Sequence, residues 1–409
     1  MAEIYPFQAV RPAAELAGKI AALPYDVYSG AEARREVERN PHSFLSIDRA
    51  ETQLPVGISP YSDEVYETAS QTLQRMIRNG ELIREEKPSL YLYELTMDGR
   101  TQTGFVGCAS VAEYEEGIIR KHENTRAEKE DDRVRHVDAC NAHTGPIFLS
   151  YRAQSEMREL AMKIRERTPL YDVTFEDGVR HRIFRISEAE EIHAVQHAFA
   201  KLTRVYIADG HHRAAAAARV AKMRRQTDPG SEAEHFLAVF FPDDELKIYD
   251  YNRLLKDLGN YTAEDFIKKL QEDFYVEEAD KSPYAPEKKG EYGLYLCGRW
   301  YRMTRKEDLS TEDPVESLDV SVLQQLVLDK ILGIRDPKTD PRIGFVGGIR
   351  GLHELERCVD SGEAAAAVSM YPTSMEELFR TADANLCMPP KSTWFEPKLR
   401  SGFFIHELG

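Results

Sequence analysis

A β-branched run that ends in Asp-Gly and passes without a spacer into an alanine-rich helix constrains this chain more than any other feature. The segment is VYIADGHHRAAAA, residues 205–217, and a strand over residues 202–209 is expected from its frame LTRVYIAD. Gly210 allows a tight strand-to-helix turn and close backbone approach, and the helix is expected to begin at about His211. Successive alanines let such a helix lie flush on a sheet, which calls for a layered α/β or α+β fold. The free N–H groups and positive dipole end at the helix start bind anions, phosphate above all. His211, His212 and Arg213 fill that first turn, and Arg213 offers a bidentate donor. A plain junction whose histidines only cap or pack is the competing interpretation, and five such residues in a row weigh against it.

Around this segment the pattern stays mixed. Residues 89–97 and 103–111 flank a turn at Asp98-Gly99 with alternating aromatics, a hairpin signal. Helices are expected over residues 31–40, 61–79 and 187–199, the last with Ser187 as N-cap. A second hairpin is expected from HFLAVFF at residue 235 through the turn PDDE into LKIYDYN. Residues 277–291 read as a loop or linker, and beyond it come strands, a helix over residues 320–331, and further α/β pattern. This divides the chain into a core over residues 1–275 and a C-terminal α/β region over residues 276–409.

Two more segments carry chemistry. RKHENTRAEKEDDRVRH, residues 120–136, is too charged to read as core, and a solvated helix is the ordinary interpretation of such a run. Yet Glu123, beside His122, follows an apolar stretch where a strand would end, a position suited to a general base or to a metal ligand through its oxygens. Asn124 and Thr125, with Thr144 of the rigid Thr-Gly-Pro turn, are candidate substrate contacts. MPPKSTWFEPKLRSG, residues 388–402, gathers Lys391, Lys398 and Arg400 with Ser392 and Thr393. Such a loop neutralises phosphate oxygens or a developing negative charge, although a C-terminal wrap held by Trp394 and Phe395 fits equally well. The glycine pair in IGFVGGIRG lacks a full dinucleotide or P-loop fingerprint.

Charge narrows the class. With 54 Lys+Arg against 70 Asp+Glu the net charge is −16, which argues against a general nucleic-acid or anionic-membrane binder. No stretch nears the ~18 apolar residues of a membrane span. The five cysteines are scattered without a CxxC pair, as in reduced cytoplasmic proteins, and supply no zinc framework.

On these residues two resemblances stand out. Through LPYDV, RKHENT, KEDDR, NAHTGPIF, ADGHHR, YPTSM and MPPKSTWFEPKLRSG the chain resembles, over essentially its whole length, the prokaryotic family known as domain of unknown function 1015. More locally, Gly210, His212, Arg213 and Ala216 are similar to the phosphate-binding box of the ParB/sulfiredoxin-like superfamily, Gly-x-[His/Glu]-Arg-x-x-Ala. That resemblance implies a mixed-sheet core of the same kind and nucleotide phosphates held at Gly210–Arg213. Its free-serine kinases use an acidic residue as base toward the serine hydroxyl, and Glu123 matches that role by chemistry. Sulfiredoxins need a cysteine after the box glycine, where this chain has His211.

The expectation is a cytoplasmic phosphotransferase that uses ATP or another nucleotide with Mg²⁺ on a small hydroxyl metabolite such as L-serine. Glu123, His122 and Asp209 would do the proton and positioning chemistry. Gly210, His211, His212, Arg213, Lys391, Ser392 and Thr393 would hold phosphate. Asn124, Thr125, Thr144, Lys398 and Arg400 would face the substrate, and no protein metal ligands are assigned. A nucleotide hydrolase or switch, and a regulator that binds a phosphometabolite, stay open as alternatives, as does a homodimer.

Overall fold

The hairpin expected at Asp98-Gly99 forms the spine of the first sheet in the computed structural model, which describes residues 1–226, 228, 230–306 and 311–409. Both turn residues take positive φ, 51° and 75°, as a tight turn between twisted antiparallel strands requires. The hairpin strands are β1 (Leu90–Met97) and β2 (Arg100–Ser110). Joining them are β3 (Ile119–Arg120), β4 (Ile147–Tyr151), β5 (Tyr171–Thr174), β6 (Arg180–Ile186), β7 (Val205–Asp209) and β8 (His235–Pro242). Their spatial order is β3-β7-β4-β8-β2-β1-β6-β5. β7 runs parallel to β3 and β8 parallel to β4, while the other neighbours are antiparallel. A mixed sheet with helices packed on it is the α+β architecture that the sequence calls for.

The chain folds as two compact units, Met1–Leu246 with Pro397–Gly409, and Lys247–Glu396. The boundary expected at residue 275 therefore falls instead after Leu246, and the last thirteen residues return to the first unit. The second hairpin fails for the same reason. After β8 the chain makes a 3-10 turn at Asp243–Glu245, where the Glu245 carboxylate accepts the Thr103 N–H at 2.6 Å. The chain beyond this turn does not pair back with β8: Ile248–Tyr249 pairs with Trp394–Phe395, and β9 (Tyr251–Leu255) enters another sheet.

Three helices of the first unit place the site: α1 (Asp63–Arg78), α2 (Ala127–Cys140) and α3 (His211–Arg224). α3 is buried on two sides because alanine offers no bulk on either. Ala214, Ala217 and Ala221 pack into the sheet core with Leu149, Ile207 and Phe236. Ala216 and Val220 pack with Val134 and Val137 of α2. The charged run thus departs from the expected solvated face. Asp132, Arg133 and His136 of α2 are all buried, a placement that needs charge partners to be stable. Ser187 does not cap its helix, which begins at Ala189 after Glu188 with no side-chain cap.

In the second unit β9 joins β10 (Phe274–Glu278), β11 (Glu291–Leu296), β12 (Arg299–Arg305), β13 (Ile343–Gly347) and β14 (Ala366–Met370), in the order β10-β12-β11-β14-β9-β13. Every pairing is antiparallel. The expected linker at residues 277–291 is a loop only over residues 279–290, within this unit between β10 and β11. The helix expected over residues 320–331 is α-helical only at Asp319–Leu323 and continues as a π-helix over Gln324–Asp329.

Candidate active site

At the end of β7 the backbone turns through Gly210, φ +98°, directly into α3. A Cβ at that position would stand 3.0 Å from the Arg213 guanidinium, which folds back over the turn. Arg213 Nη1 donates to the Pro146 carbonyl, so the Thr-Gly-Pro turn and the helix start are joined by one guanidinium. Gly145 packs closely there, with Ser401 Oγ at 3.1 Å and Arg213 Nη1 at 3.6 Å from where a Cβ would lie. Thr144 Oγ1 donates to Asp48 Oδ1 at 2.9 Å rather than projecting freely.

The two histidines of the turn fasten the Glu123 loop. His211 Nε2 accepts the His122 N–H at 3.4 Å, and His212 Nε2 accepts the Arg126 N–H at 3.1 Å. Each ring accepts at Nε2, so each neutral ring carries its proton on Nδ1. His211 Nδ1 lies 3.9 Å from Glu123 Oε2. Residues 122–126 are thereby clipped to the N-terminus of α3, and Glu123, its side chain 37% exposed, stands beside it. Thr125 Oγ1 is turned away, donating to Glu130 Oε2 at 3.0 Å; Asn124 lies in the same loop.

Electrostatics follow from burial. Burial pushes the His122 imidazole down to about 4 and, with His122 as neighbour, pushes His211 well below its ordinary value. Their rings meet edge to face at 4.5 Å, as neutral rings can. His122 and His211 therefore hold the loop and do not carry charge. Asp209 behaves oppositely. Burial alone would raise its carboxyl, but Lys398 and then Arg213 outweigh that and hold it well below the carboxylate range. Lys398 Nζ lies 3.2 Å from Asp209 Oδ2.

A testable consequence concerns acid stability. The unfolded chain protonates His122 near 6.5 and the folded chain only near about 4, so stability falls as pH drops through that window, by about 3 kcal/mol from this ring. His143, His181 and His211 are lowered as well, so urea unfolding of the wild type and of His122→Gln at about pH 7 and about pH 4.5 isolates this ring's share. The same loss of stability in both proteins would mean that the ring is exposed.

Below the turn, a cavity of about 30 Å³ is lined by Tyr25, Asp48, Arg133, His136, Thr144, Arg213 and Ser401, among others. This is room for about two waters. The Arg133 guanidinium lies 4.1 Å over the Tyr25 ring, and its Nε donates to Asp132 Oδ2 at 3.0 Å. Sequence reasoning missed Asp48, Arg133 and His136. The signal was present: Arg133, His136, Val137 and Cys140 follow the i, i+3, i+4, i+7 spacing of a buried helix stripe.

The structure separates the C-terminal loop. Lys398 reaches the Gly210 turn, but Arg400 lies 3.6 Å over the Phe175 ring and pairs with Asp177 at 2.5 Å. Arg400 belongs to a broad cleft of about 840 Å³ lined also by Tyr28, Arg39 and His42. Lys391, Ser392 and Thr393 lie in the second unit. There Ser392 donates from Oγ to the Pro389 carbonyl at 2.7 Å. Among the described residues no group of three or more His, Cys, Asp or Glu forms a metal site, and no helix is long and apolar enough to cross a membrane.

The sequence profile of DUF1015, described as a protein of unknown function, matches residues 4–321. No curated protein matches significantly. Solved structures that align include a free serine kinase in complex with AMP, at 14% identity, TM-score 0.37, over 73% of this chain and 91% of that one. A conserved hypothetical protein from Pyrococcus furiosus aligns at 15% identity and TM-score 0.37, over 74% and 95%. SbnI with C-terminal truncation from Staphylococcus aureus aligns at 10% identity and TM-score 0.37, over 74% and 87%. At these scores the likeness says nothing further about the chemistry of this chain.

Proposed function

We propose that this chain, which belongs to the DUF1015 family of proteins of unknown function, is a nucleotide-dependent phosphotransferase acting on a small hydroxyl metabolite, with L-serine the first acceptor to test. The observation that carries the reading is the clip between the two motif segments. His211 and His212 hold the Glu123 loop against a helix N-terminus that also presents Arg213. A carboxylate base and an anion cradle thus share one place, and positioning with charge neutralisation is most of what phosphoryl transfer asks of a protein.

In this reading the N–H groups after Gly210 and the free donors of Arg213 hold the phosphates of ATP. Glu123 accepts the proton of the acceptor hydroxyl while its oxygen bonds to the γ-phosphorus. The bond to the β–γ bridging oxygen breaks, and ADP leaves. Lys398 holds Asp209 ionised beside the turn. Mg²⁺ takes one or two carboxylates plus phosphate oxygens, and Asp209 is the carboxylate that would hold it, where it would neutralise phosphate charge. His122 and His211 act as neutral positioning residues.

Calorimetric titration with ATP and Mg²⁺ tests the cradle. Arg213→Ala is expected to weaken binding by about 10- to 100-fold, the worth of a charge-assisted phosphate contact. Unchanged binding would remove Arg213 from the cradle and the reading with it.

A further inference from the structure

The second unit carries a cation that its own interior does not balance. Arg253 in β9 is 3% exposed. Its Nη1 donates to the Tyr251 carbonyl, and its guanidinium lies 5.1 Å over the Phe345 ring. Among the described residues no carboxylate pairs with it, and of the five N–H donors of a guanidinium one is engaged. Arg133 in the first unit is buried to a similar degree but has Asp132 as its ion partner. A buried charge is ordinarily paired or ligated, because an uncompensated one is among the costliest features of an interior. Burial has pulled the guanidinium down to about 10, and Tyr251 is the one titratable neighbour that opposes it.

A second cation stands nearby. Residues two apart on a strand share a face, so Tyr251 and Arg253 lie together, with Gly347 and Phe345 opposite them in the register. Lys391 takes φ +60° and sets its Nζ 5.5 Å from the centre of the Tyr251 ring. It too has no ion pair among the described residues. Trp394 meets Tyr251 edge to face at 5.1 Å and occupies the space above Gly347, where a Cβ would be 2.9 Å from its ring. Two unbalanced cations, Arg253 on β9 and Lys391 on the PPKST segment, therefore flank one aromatic floor.

We propose that Arg253 and Lys391 form an oxyanion site in the second unit, which takes the phosphate or carboxylate group of a small molecule against the Tyr251–Trp394 wall. The site shares no residue with the Gly210 turn and goes beyond the phosphotransferase reading.

Hydrogen exchange of the full chain tests it, with inorganic phosphate in one arm and succinate in the other, at ionic strength balanced with chloride. At a concentration about ten times its Kd, a bound anion slows exchange limited by local opening about tenfold. That slowing is expected in β9 and β13. Response to phosphate alone assigns a phosphate group, and response to succinate assigns a carboxylate. Arg253→Met and Lys391→Gln are each expected to abolish it, while Arg213→Met, in the first unit, leaves it intact. If Arg253→Met does not fold, the exposed Lys391→Gln decides. Absence of slowing in both arms, or slowing that persists in either second-unit variant, overturns the proposal.

Discussion

Glu123→Gln is expected to lower phosphotransfer by about 10²–10⁴-fold while leaving nucleotide affinity within about threefold. Glutamine keeps the shape of the side chain, and the loop is held by the His122 and Arg126 backbone N–H groups, neither of which involves the carboxylate. Only proton acceptance is lost. The neighbouring rings cannot take over, since burial pushes His122 down to about 4 and His211 well below its ordinary value, so neither accepts a proton at neutral pH without disrupting its clip. Rates from phosphomonoester formation and affinity from titration separate the two effects. Turnover within a few-fold of wild type would exclude Glu123 as the base. Loss of affinity and rate together would make it a binding residue instead.

The second large effect is on stability. Arg133→Met is expected to cost about 3–5 kcal/mol, because it leaves buried carboxylate without its cation. Asp132 loses the Arg133 pair at 2.9 Å and, among the described residues, keeps only the Tyr66 hydroxyl, which donates to its Oδ1 at 2.9 Å. Asp48, which also stabilises the Arg133 charge, keeps the Thr144 hydroxyl. The double variant Asp132→Asn/Arg133→Met is expected to recover part of the loss, since it removes charge on both sides. Urea midpoints of the three proteins measure this coupling. A single-variant cost below about 1 kcal/mol, the range of an exposed pair, would contradict burial of the pair.

These expectations show what the sequence makes legible and what it hides. The Asp98-Gly99 hairpin and the β7–Gly210–α3 junction are local: turn residues and periodicity specify them within a dozen positions, and both form. Glu123 was recognisable by residue type, but its place beside His211 depends on β3 lying next to β7, a pairing of distant segments. The charged run misled because pattern counts charges as solvated, whereas Asp132 and Arg133 satisfy each other inside. The second hairpin misled because alternation after a turn says that a strand comes next but not which strand it will join. Residues 388–402 look like one cationic loop, yet Thr393 and Lys398 fall on opposite sides of a unit boundary that no composition shift marks.

Phosphorus NMR of the purified chain with ATP, Mg²⁺ and a pool of hydroxylated metabolites that includes L-serine tests the central claim most directly. A new phosphomonoester resonance is expected that requires one acceptor and disappears in Glu123→Gln. Release of inorganic phosphate alone, or an unchanged spectrum from a protein that demonstrably binds ATP, would contradict it, the first favouring a nucleotide hydrolase or switch and the second a regulator.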